Sequence, residues 1–173
     1  TATGTIFDED SVTRSETDPA VGNEQGDKPV VSITATDAVA VEGTANSTLV
    51  FTVAQSNPST LATDIIVTLD LGTVEATDIN SVVTYIDAAG NPATTTVAIL
   101  QTGLALSIPA TPDGSTPWSP VFTITATQDA IYEVSEALTM NLALAAGETD
   151  ATLGNATATG TIFDEDSVTR SET

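Results

Sequence analysis

The sequence predicts an all-β fold, an antiparallel β-sandwich. Thr and Val are abundant, and both favour strands because their side chains branch at Cβ. Hydrophobic residues make up 40% of the 173 residues, enough for a core, whereas aromatic residues make up only 4%. Aliphatic side chains must therefore fill that core. Short segments that alternate apolar and polar residues are separated by Gly, Pro, Asn and Asp, which is typical of a sandwich.

The strand pattern begins with VVSITAT at residues 30–36, where apolar and polar residues alternate, and continues at intervals along the chain. No long stretch shows sustained helical periodicity, so at most one short turn is expected, over residues 143–148. The predicted strands are 30–36, 49–54, 64–71, 82–86, 95–100, 104–108, 121–127, 138–145 and 157–163.

A perfect internal repeat predicts a tandem array. Residues 1–17, TATGTIFDEDSVTRSET, recur without change as residues 157–173. We therefore expect an internal fragment of a longer protein, in which identical repeats follow one another and each folds on its own as a monomeric module. Neighbouring identical repeats in the same chain are the expected partners. The predicted divisions are the last strand of the preceding repeat (1–10), a linker (11–29), the sandwich (30–166) and the next linker (167–173).

The charge balance excludes several functions. Lys and Arg total 3 against 24 Asp and Glu, for a formal net charge of −21. Such a chain repels nucleic acid and anionic membranes, and no apolar run approaches the roughly 18 residues needed for membrane insertion. The absence of Cys and His removes thiol and imidazole catalysis, disulfides and the usual zinc sites. Any metal site must be built from oxygen ligands, which favour hard cations.

The acidic residues form three clusters at the ends of predicted strands. If these clusters converge at one end of the sandwich, their repulsion must be relieved, and Ca²⁺ is better suited than Mg²⁺ because it accepts 6 to 8 oxygens in flexible geometry. Solvated loop acids are the alternative interpretation. The clusters are Asp164-Glu165-Asp166 with its copy Asp8-Glu9-Asp10; Asp129, Glu133 and Glu136; and Glu42 in VEGT.

Several of these segments, in this order, resemble the Calx-β domain family. They are VVSITATDAVAVEGT (30–44), FTV (51–53), LGTVEATDI (71–79), ITATQDAIYEVSEAL (124–138) and the closing strand with its acidic triplet (159–166). The resemblance implies a seven-stranded immunoglobulin-like sandwich with Ca²⁺ bound at one end. Residues 87–120 are longer than usual for the family, which predicts additional strands or a hairpin there. The implied ligands are Glu42, Asp78, Asp129, Glu133, Glu136, Asp164, Glu165 and Asp166.

The predicted function is that of a calcium-binding extender module of a large, repetitive, extracellular adhesin at the cell surface. The link to adhesins of the RTX type rests on analogy of repeats and acidity. Ca²⁺ at the domain end and in the linker is expected to stiffen the array, so that it projects a distal binding domain. Asp8, Asp10 and Asp27 lie beside the linker and are expected to serve at the junction.

Two other functions stay open from the sequence. The single Trp, Trp118, lies in the Pro-containing segment TPWSP and can stack on a sugar ring if it is exposed, which predicts a carbohydrate-binding module; it can equally cover a sandwich edge. Paired carboxylates such as Glu133 and Glu136 can in principle cleave glycosidic bonds. No signature of a catalytic cleft accompanies them, and the chain is predicted not to be an enzyme.

Overall fold

The computed structural model describes residues 28–164, and over this range the predicted all-β sandwich is confirmed. The strands run in chain order with one short helix between β6 and β7. Their bounds are β1 (Val30–Asp37), β2 (Val39–Val41), β3 (Thr48–Gln55), β4 (Thr63–Asp70), β5 (Val82–Ile86), β6 (Pro92–Thr96), α1 (Val97–Thr102), β7 (Leu104–Ile108), β8 (Val121–Thr125), β9 (Glu136–Leu144), β10 (Thr152–Leu153) and β11 (Thr157–Phe163).

Two mixed sheets pack face to face. The six-stranded sheet has the order β10-β1-β3-β8-β5-β6, and the five-stranded sheet has the order β2-β11-β9-β4-β7. Most neighbouring strands are antiparallel, as predicted, but β10 runs parallel to β1 and β2 runs parallel to β11. A register shift between Ala35 and Asp37 interrupts the pairing of β1 with β3, which resumes with Asp37 opposite Val50. The chain then continues as β2 in the other sheet, so residues 30–41 contribute one strand to each layer.

The core consists of the inward-facing residues of both sheets. Alternate residues of β3, which are Leu49, Phe51 and Val53, are fully buried, as the period-two pattern requires. Phe51 lies opposite Phe122 on β8, and the Tyr85 ring stacks on Phe122 at a centroid distance of 5.5 Å. Burial of each of the two Phe side chains stabilises the fold by about 1.5–3 kcal/mol. The remainder of the core is mainly aliphatic, as the composition predicts.

The two ends of the sandwich are distinct. At the end that we call the N-terminal pole, β1 begins at Val30 and β3 ends beside it, because Val31 pairs with Gln55. At the opposite end, the C-terminal pole, β11 ends at Phe163 and β9 begins, because Ile162 pairs with Glu136. The chain therefore enters the sandwich at one pole and leaves it at the other.

The strand predicted over residues 95–100 is wrong. The strand β6 ends at Thr96, whose side chain accepts a hydrogen bond from the Ile99 backbone N–H and so caps α1. Val97 and Leu100, three residues apart, bury one face of this helix. Gly103, with φ of +113°, ends it.

The structure has more strands than the seven that the resemblance implies, and two of them, β6 and β7, lie with α1 in the segment 87–120 where additional elements were predicted. Within residues 28–164, no helix combines the length and apolar character needed to cross a lipid bilayer.

Candidate metal centre

Four loop or strand ends meet at the C-terminal pole. Asp78 lies in the loop between β4 and β5, and Asp129 and Glu133 lie in the loop between β8 and β9. The residue that follows β2 is Glu42, and the residue that follows β11 is Asp164. Both of these strand ends lie side by side, since the Glu42 backbone N–H donates to the Phe163 carbonyl at 3.0 Å. The sandwich therefore brings Asp164, the one described member of the first acidic cluster, to the same pole as Glu42 and the loop of the second cluster.

Asp78 is buried in this loop assembly, with 3% of its surface exposed. Its Oδ2 accepts a hydrogen bond from the Glu75 backbone N–H at 2.6 Å, and its Oδ1 accepts one from the Thr77 hydroxyl at 3.2 Å. The Asp78 carbonyl accepts from the Thr127 N–H at 2.7 Å, which ties this loop to the end of β8. The backbone thus fixes a buried carboxylate between two loops.

The carboxylates of Asp78, Asp129 and Glu133 converge on one point. Each offers one oxygen, and the three oxygens lie within 4.8 Å of one another. Ca²⁺ binds oxygen at about 2.3–2.6 Å, so oxygens around one ion lie up to about 5 Å apart. The separation therefore suits a shared Ca²⁺. Asp129 holds its own loop in shape, because its Oδ1 accepts from the Ile131 N–H at 2.7 Å.

Asp164 and Glu42 close the site from the side of β2 and β11. Both are buried, with 6% and 5% of their surface exposed. Asp164 Oδ2 accepts a hydrogen bond from the Glu133 backbone N–H at 2.9 Å. The last described residue of the chain is thereby attached to the loop that carries two other carboxylates.

Two carboxyl groups at this pole show a strongly raised pKa. Burial raises the pKa of Glu42 to about 7, with further contributions from the charges of Asp78, Glu133, Asp164 and Asp129. Burial also raises the pKa of Glu136 to about 7, followed by its side-chain hydrogen bond to Asp78 and by neighbouring carboxylates. A hydrogen bond between two carboxyl groups requires a proton between them, which agrees with the raised pKa of Glu136.

Within the part of the chain that the structure describes, no basic residue lies at this pole. The pKa of Glu133 is raised by desolvation and then by the charges of Asp78, Asp129, Glu75 and Asp164. Between residues 28 and 164 the only basic residue is Lys28, which precedes β1 at the N-terminal pole. A bound cation would supply the missing charge, and the donor set consists of carboxylates alone. These residues therefore fit a hard, oxygen-seeking ion such as Ca²⁺.

The structure places the predicted site residues in two groups. One group is assembled at the C-terminal pole, and the other lies outside the described residues. That any of them binds a metal stays a prediction. The first group comprises Glu42, Asp78, Asp129, Glu133, Glu136 and Asp164. The second comprises Asp8, Asp10, Asp27, Glu165 and Asp166.

One acidic residue of this pole, Glu75, was not predicted. It is exposed, it donates its backbone N–H to Asp78, and its charge contributes to the raised pKa of Glu133 and of Glu136. Its position three residues before Asp78, in the same loop, was the available signal.

Trp118 does not form an exposed stacking surface. The side chain is partly buried against the hydrophobic core, and its Nε1 is buried without a hydrogen-bond partner. Trp118 lies near the N-terminal pole, where the neighbouring Ser119 hydroxyl and Pro120 carbonyl hydrogen-bond to Val53. The carbohydrate-binding prediction assumed an exposed ring, and the structure gives this residue the packing role instead.

No protein-family model matches the sequence, and no curated protein matches it. Among solved structures, the chain is similar to the apo-form Calx CBD1 domain, with 16% identity over 79% of this chain and 98% of that chain, at a TM-score of 0.47. It is also similar to the calcium binding domain CBD12 of CALX1.1, with 16% identity over 78% of this chain and 44% of that chain, at a TM-score of 0.46.

A third similar structure is ACE19, the collagen binding subdomain of the Enterococcus faecalis surface protein ACE. It shares 12% identity over 80% of this chain and 99% of that chain, at a TM-score of 0.36. The first two structures are domains of the kind that the sequence resembles. At these values the likeness says nothing about what this chain binds, and the relationship to RTX-type adhesins stays a prediction.

Proposed function

We propose that this chain is a calcium-binding structural module of a large, repetitive, extracellular adhesin at the cell surface. The observation that carries the proposal is the convergence of six carboxyl groups at the pole where the chain leaves the sandwich. Three of them, Glu42, Asp78 and Asp164, are buried. Burying like charges together is costly unless an ion of opposite charge is bound among them.

In this proposal, Asp78, Asp129 and Glu133 hold one Ca²⁺ through the oxygens that lie within 4.8 Å of one another. Glu42, Glu136 and Asp164 surround that group and supply further oxygens. When bound, the ion supplies the positive charge that allows these carboxyls to be ionised together. The effect on the chain is mechanical, because the loops after β2, β4, β8 and β11 become attached to one centre.

The path of the chain supports a role in extension. The chain enters at the N-terminal pole and leaves at the C-terminal pole, so consecutive copies would add along one direction. Asp164, through which the chain leaves, is bonded to the loop of Asp129 and Glu133. Ca²⁺ bound there would fix the direction in which the following linker departs. Asp8, Asp10, Asp27, Glu165 and Asp166 are proposed to extend the site into the junction.

The proposed extracellular setting is consistent with calcium as the ion. Extracellular modules typically bind Ca²⁺ with dissociation constants of about 10⁻⁴–10⁻³ M, which matches the calcium available there. Identical neighbouring repeats are the proposed partners, and the projection of a distal binding domain from the cell surface is the proposed purpose. That the isolated module is monomeric and not an enzyme stays a prediction.

Thermal unfolding of the 173-residue chain in Ca²⁺, in Mg²⁺ at equal ionic strength, and in chelator tests the proposal. Ca²⁺ at about 100 times its dissociation constant should stabilise the fold by about 2.7 kcal/mol, which raises Tm by several degrees. Mg²⁺ should raise it less, because it demands stricter octahedral geometry. The same Tm in all three solutions would refute calcium binding at this pole.

Scattering from a protein with two consecutive repeats tests the extension. Its maximum dimension should be larger in Ca²⁺ than in chelator, at equal ionic strength. If calcium raises Tm but leaves the maximum dimension unchanged, the ion stabilises the module without stiffening the array.

A further inference from the structure

The loop between β8 and β9 exposes three large apolar side chains beside the acidic site. The exposed fractions are 64% for Ile131, 67% for Tyr132 and 74% for Val134. These three residues, which we call the apolar loop patch, lie between and beside Asp129 and Glu133 in sequence. Contiguous exposed apolar residues with a polar rim are typical of a protein interaction surface.

The loop that carries this patch is held in place. The Ile131 N–H donates to Asp129 Oδ1, and the Glu133 N–H donates to Asp164 Oδ2. Asp164 is also where the chain leaves the sandwich toward residues 165–173, which repeat residues 9–17. In a tandem array, the next copy of the module would therefore follow from a point adjacent to the patch.

The N-terminal pole of such a copy carries complementary groups. Val30, Leu61 and Leu153 are exposed there by 39%, 53% and 39%. They lie at or next to the pole, since Val30 begins β1, Leu61 precedes β4, and Leu153 pairs with Val31. Lys28 is exposed at the same pole and is the only basic residue between 28 and 164. An apolar surface with one cation thus lies at the opposite end from an apolar patch rimmed by carboxylates.

We infer that the apolar loop patch is the docking surface for the N-terminal pole of the next copy of this module. The apolar side chains of Ile131, Tyr132 and Val134 form the centre of the contact, and Lys28 of the next copy faces the carboxylates at its rim. This contact would hold consecutive modules in line in addition to any calcium in the junction. The inference rests on the tandem arrangement in the proposed function.

Engineered cysteine pairs test the contact, because the chain has no native Cys. The test protein is the 173-residue chain followed by a second copy of residues 18–173. It carries Val134→Cys in the first copy and Leu61→Cys in the second. The control pairs the same Val134→Cys with Ile99→Cys in the second copy, since Ile99 is 46% exposed but lies on α1, away from the N-terminal pole.

Under mild oxidation in dilute solution, the Val134–Leu61 pair should form its disulfide roughly tenfold faster than the control pair, because docking adds to the effective concentration that the linker alone provides. Ile131→Ser with Tyr132→Ser in the first copy should bring this rate down to that of the control. Lys28→Glu in the second copy should also lower it. Equal rates for the test and control pairs would overturn the inference.

A calcium titration of the same proteins, followed by Tm, separates this inference from the proposed function. If calcium raises Tm in every variant while the two disulfides form equally fast, the proposed docking contact is refuted and the proposed calcium binding is supported. If the test pair reacts faster but calcium leaves Tm unchanged, the docking contact is supported and the proposed calcium binding is refuted.

Discussion

Replacing Asp78 with Asn separates two roles of a buried carboxylate, that of a metal ligand and that of a hydrogen-bond acceptor in a loop. Asp78→Asn keeps the size of the side chain and removes its charge. In the absence of calcium, at pH 8, this substitution should leave the free energy of unfolding within about 1–2 kcal/mol of the wild-type value. In calcium, it should be clearly destabilising relative to the wild type.

The magnitudes follow from the site. Oxygens of Asp78, Asp129 and Glu133 lie within 4.8 Å of one another. Two unit charges about 5 Å apart repel each other by about 0.8 kcal/mol in bulk water and by about 3 kcal/mol at an effective dielectric constant of about 20. Asp129 is exposed and Glu133 is partly exposed, so each pair lies toward the lower value, and Asp78→Asn removes about 2 kcal/mol of repulsion over the two pairs. Asn presents one acceptor where Asp78 receives bonds from both Glu75 and Thr77, and an unsatisfied donor costs about 1–3 kcal/mol. Without calcium the two effects nearly cancel.

With calcium, the loss of a metal ligand has the largest effect on the free energy of unfolding of Asp78→Asn. At about 100 times the dissociation constant, bound calcium stabilises the wild type by about 2.7 kcal/mol. A variant that binds about 100-fold more weakly retains only about 0.4 kcal/mol of that, so it loses about 2 kcal/mol. Urea unfolding followed by the fluorescence of Trp118, the single Trp, measures both conditions.

The matched control is Asp64→Asn, which removes the same charge from an exposed position near the start of β4, at the N-terminal pole. It should leave the calcium-induced gain unchanged. If Asp78→Asn lowers the free energy of unfolding equally in calcium and in chelator, Asp78 is a structural acceptor only, and the reasoning from charge is wrong.

Three further predictions follow from particular residues. Without calcium, the free energy of unfolding should fall as pH rises from about 5 to about 8, because Glu42, with a pKa raised from 4.5 to about 7, keeps its proton in the folded state. The proton on Glu42 contributes about 3 kcal/mol to the free energy of unfolding below pH 4.5, and this contribution is lost as the pH rises through 7. Urea unfolding at several pH values measures the loss, and saturating calcium should oppose it. Gly72 has φ of +59°, and a Cβ there would lie 2.4 Å from the Ala137 carbonyl oxygen. Gly72→Ala should therefore destabilise the fold by more than about 1 kcal/mol, and a calorimetric titration should show weaker calcium binding. Gly90→Ala, with φ of +81° and open space around it, is the control and should leave calcium binding unchanged. Phe51→Ala should cost about 3–5 kcal/mol in urea unfolding by leaving a cavity, with little change in the affinity for calcium; an equal loss of affinity would mean that the core and the site are coupled.

The strands with clean alternation were predictable from sequence because one face of each is buried. The segments at 82–86, 104–108 and 157–163 agree with β5, β7 and β11. The helix α1 was missed because it spans only six residues, too few to show a helical period, and depends on the Thr96 cap. The two-residue β10 depends on contacts with β1, which are distant in sequence and leave no local pattern.

The meeting of the acidic clusters was predictable because each follows or precedes a strand, and strand ends gather at the poles of a sandwich. Which of these carboxylates is central to the site was not predictable. Asp78 is central because backbone groups of Glu75 and Thr127 fix its loop, and the pKa of Glu136 is raised by burial and then by its side-chain hydrogen bond to Asp78. These are properties of loop conformation, which the residue types alone do not specify.

The parallel pairing of β2 with β11 has a consequence for a protein under load. A pull between Val30 and Phe163 draws these two strands past each other along their length, through the pairs from Thr161 with Val39 to Phe163 with Val41. In this direction the cross-strand hydrogen bonds must yield together, whereas strands peeled from one end yield one bond at a time. We therefore expect the module to withstand tension along its axis far better than its short β2 strand would suggest.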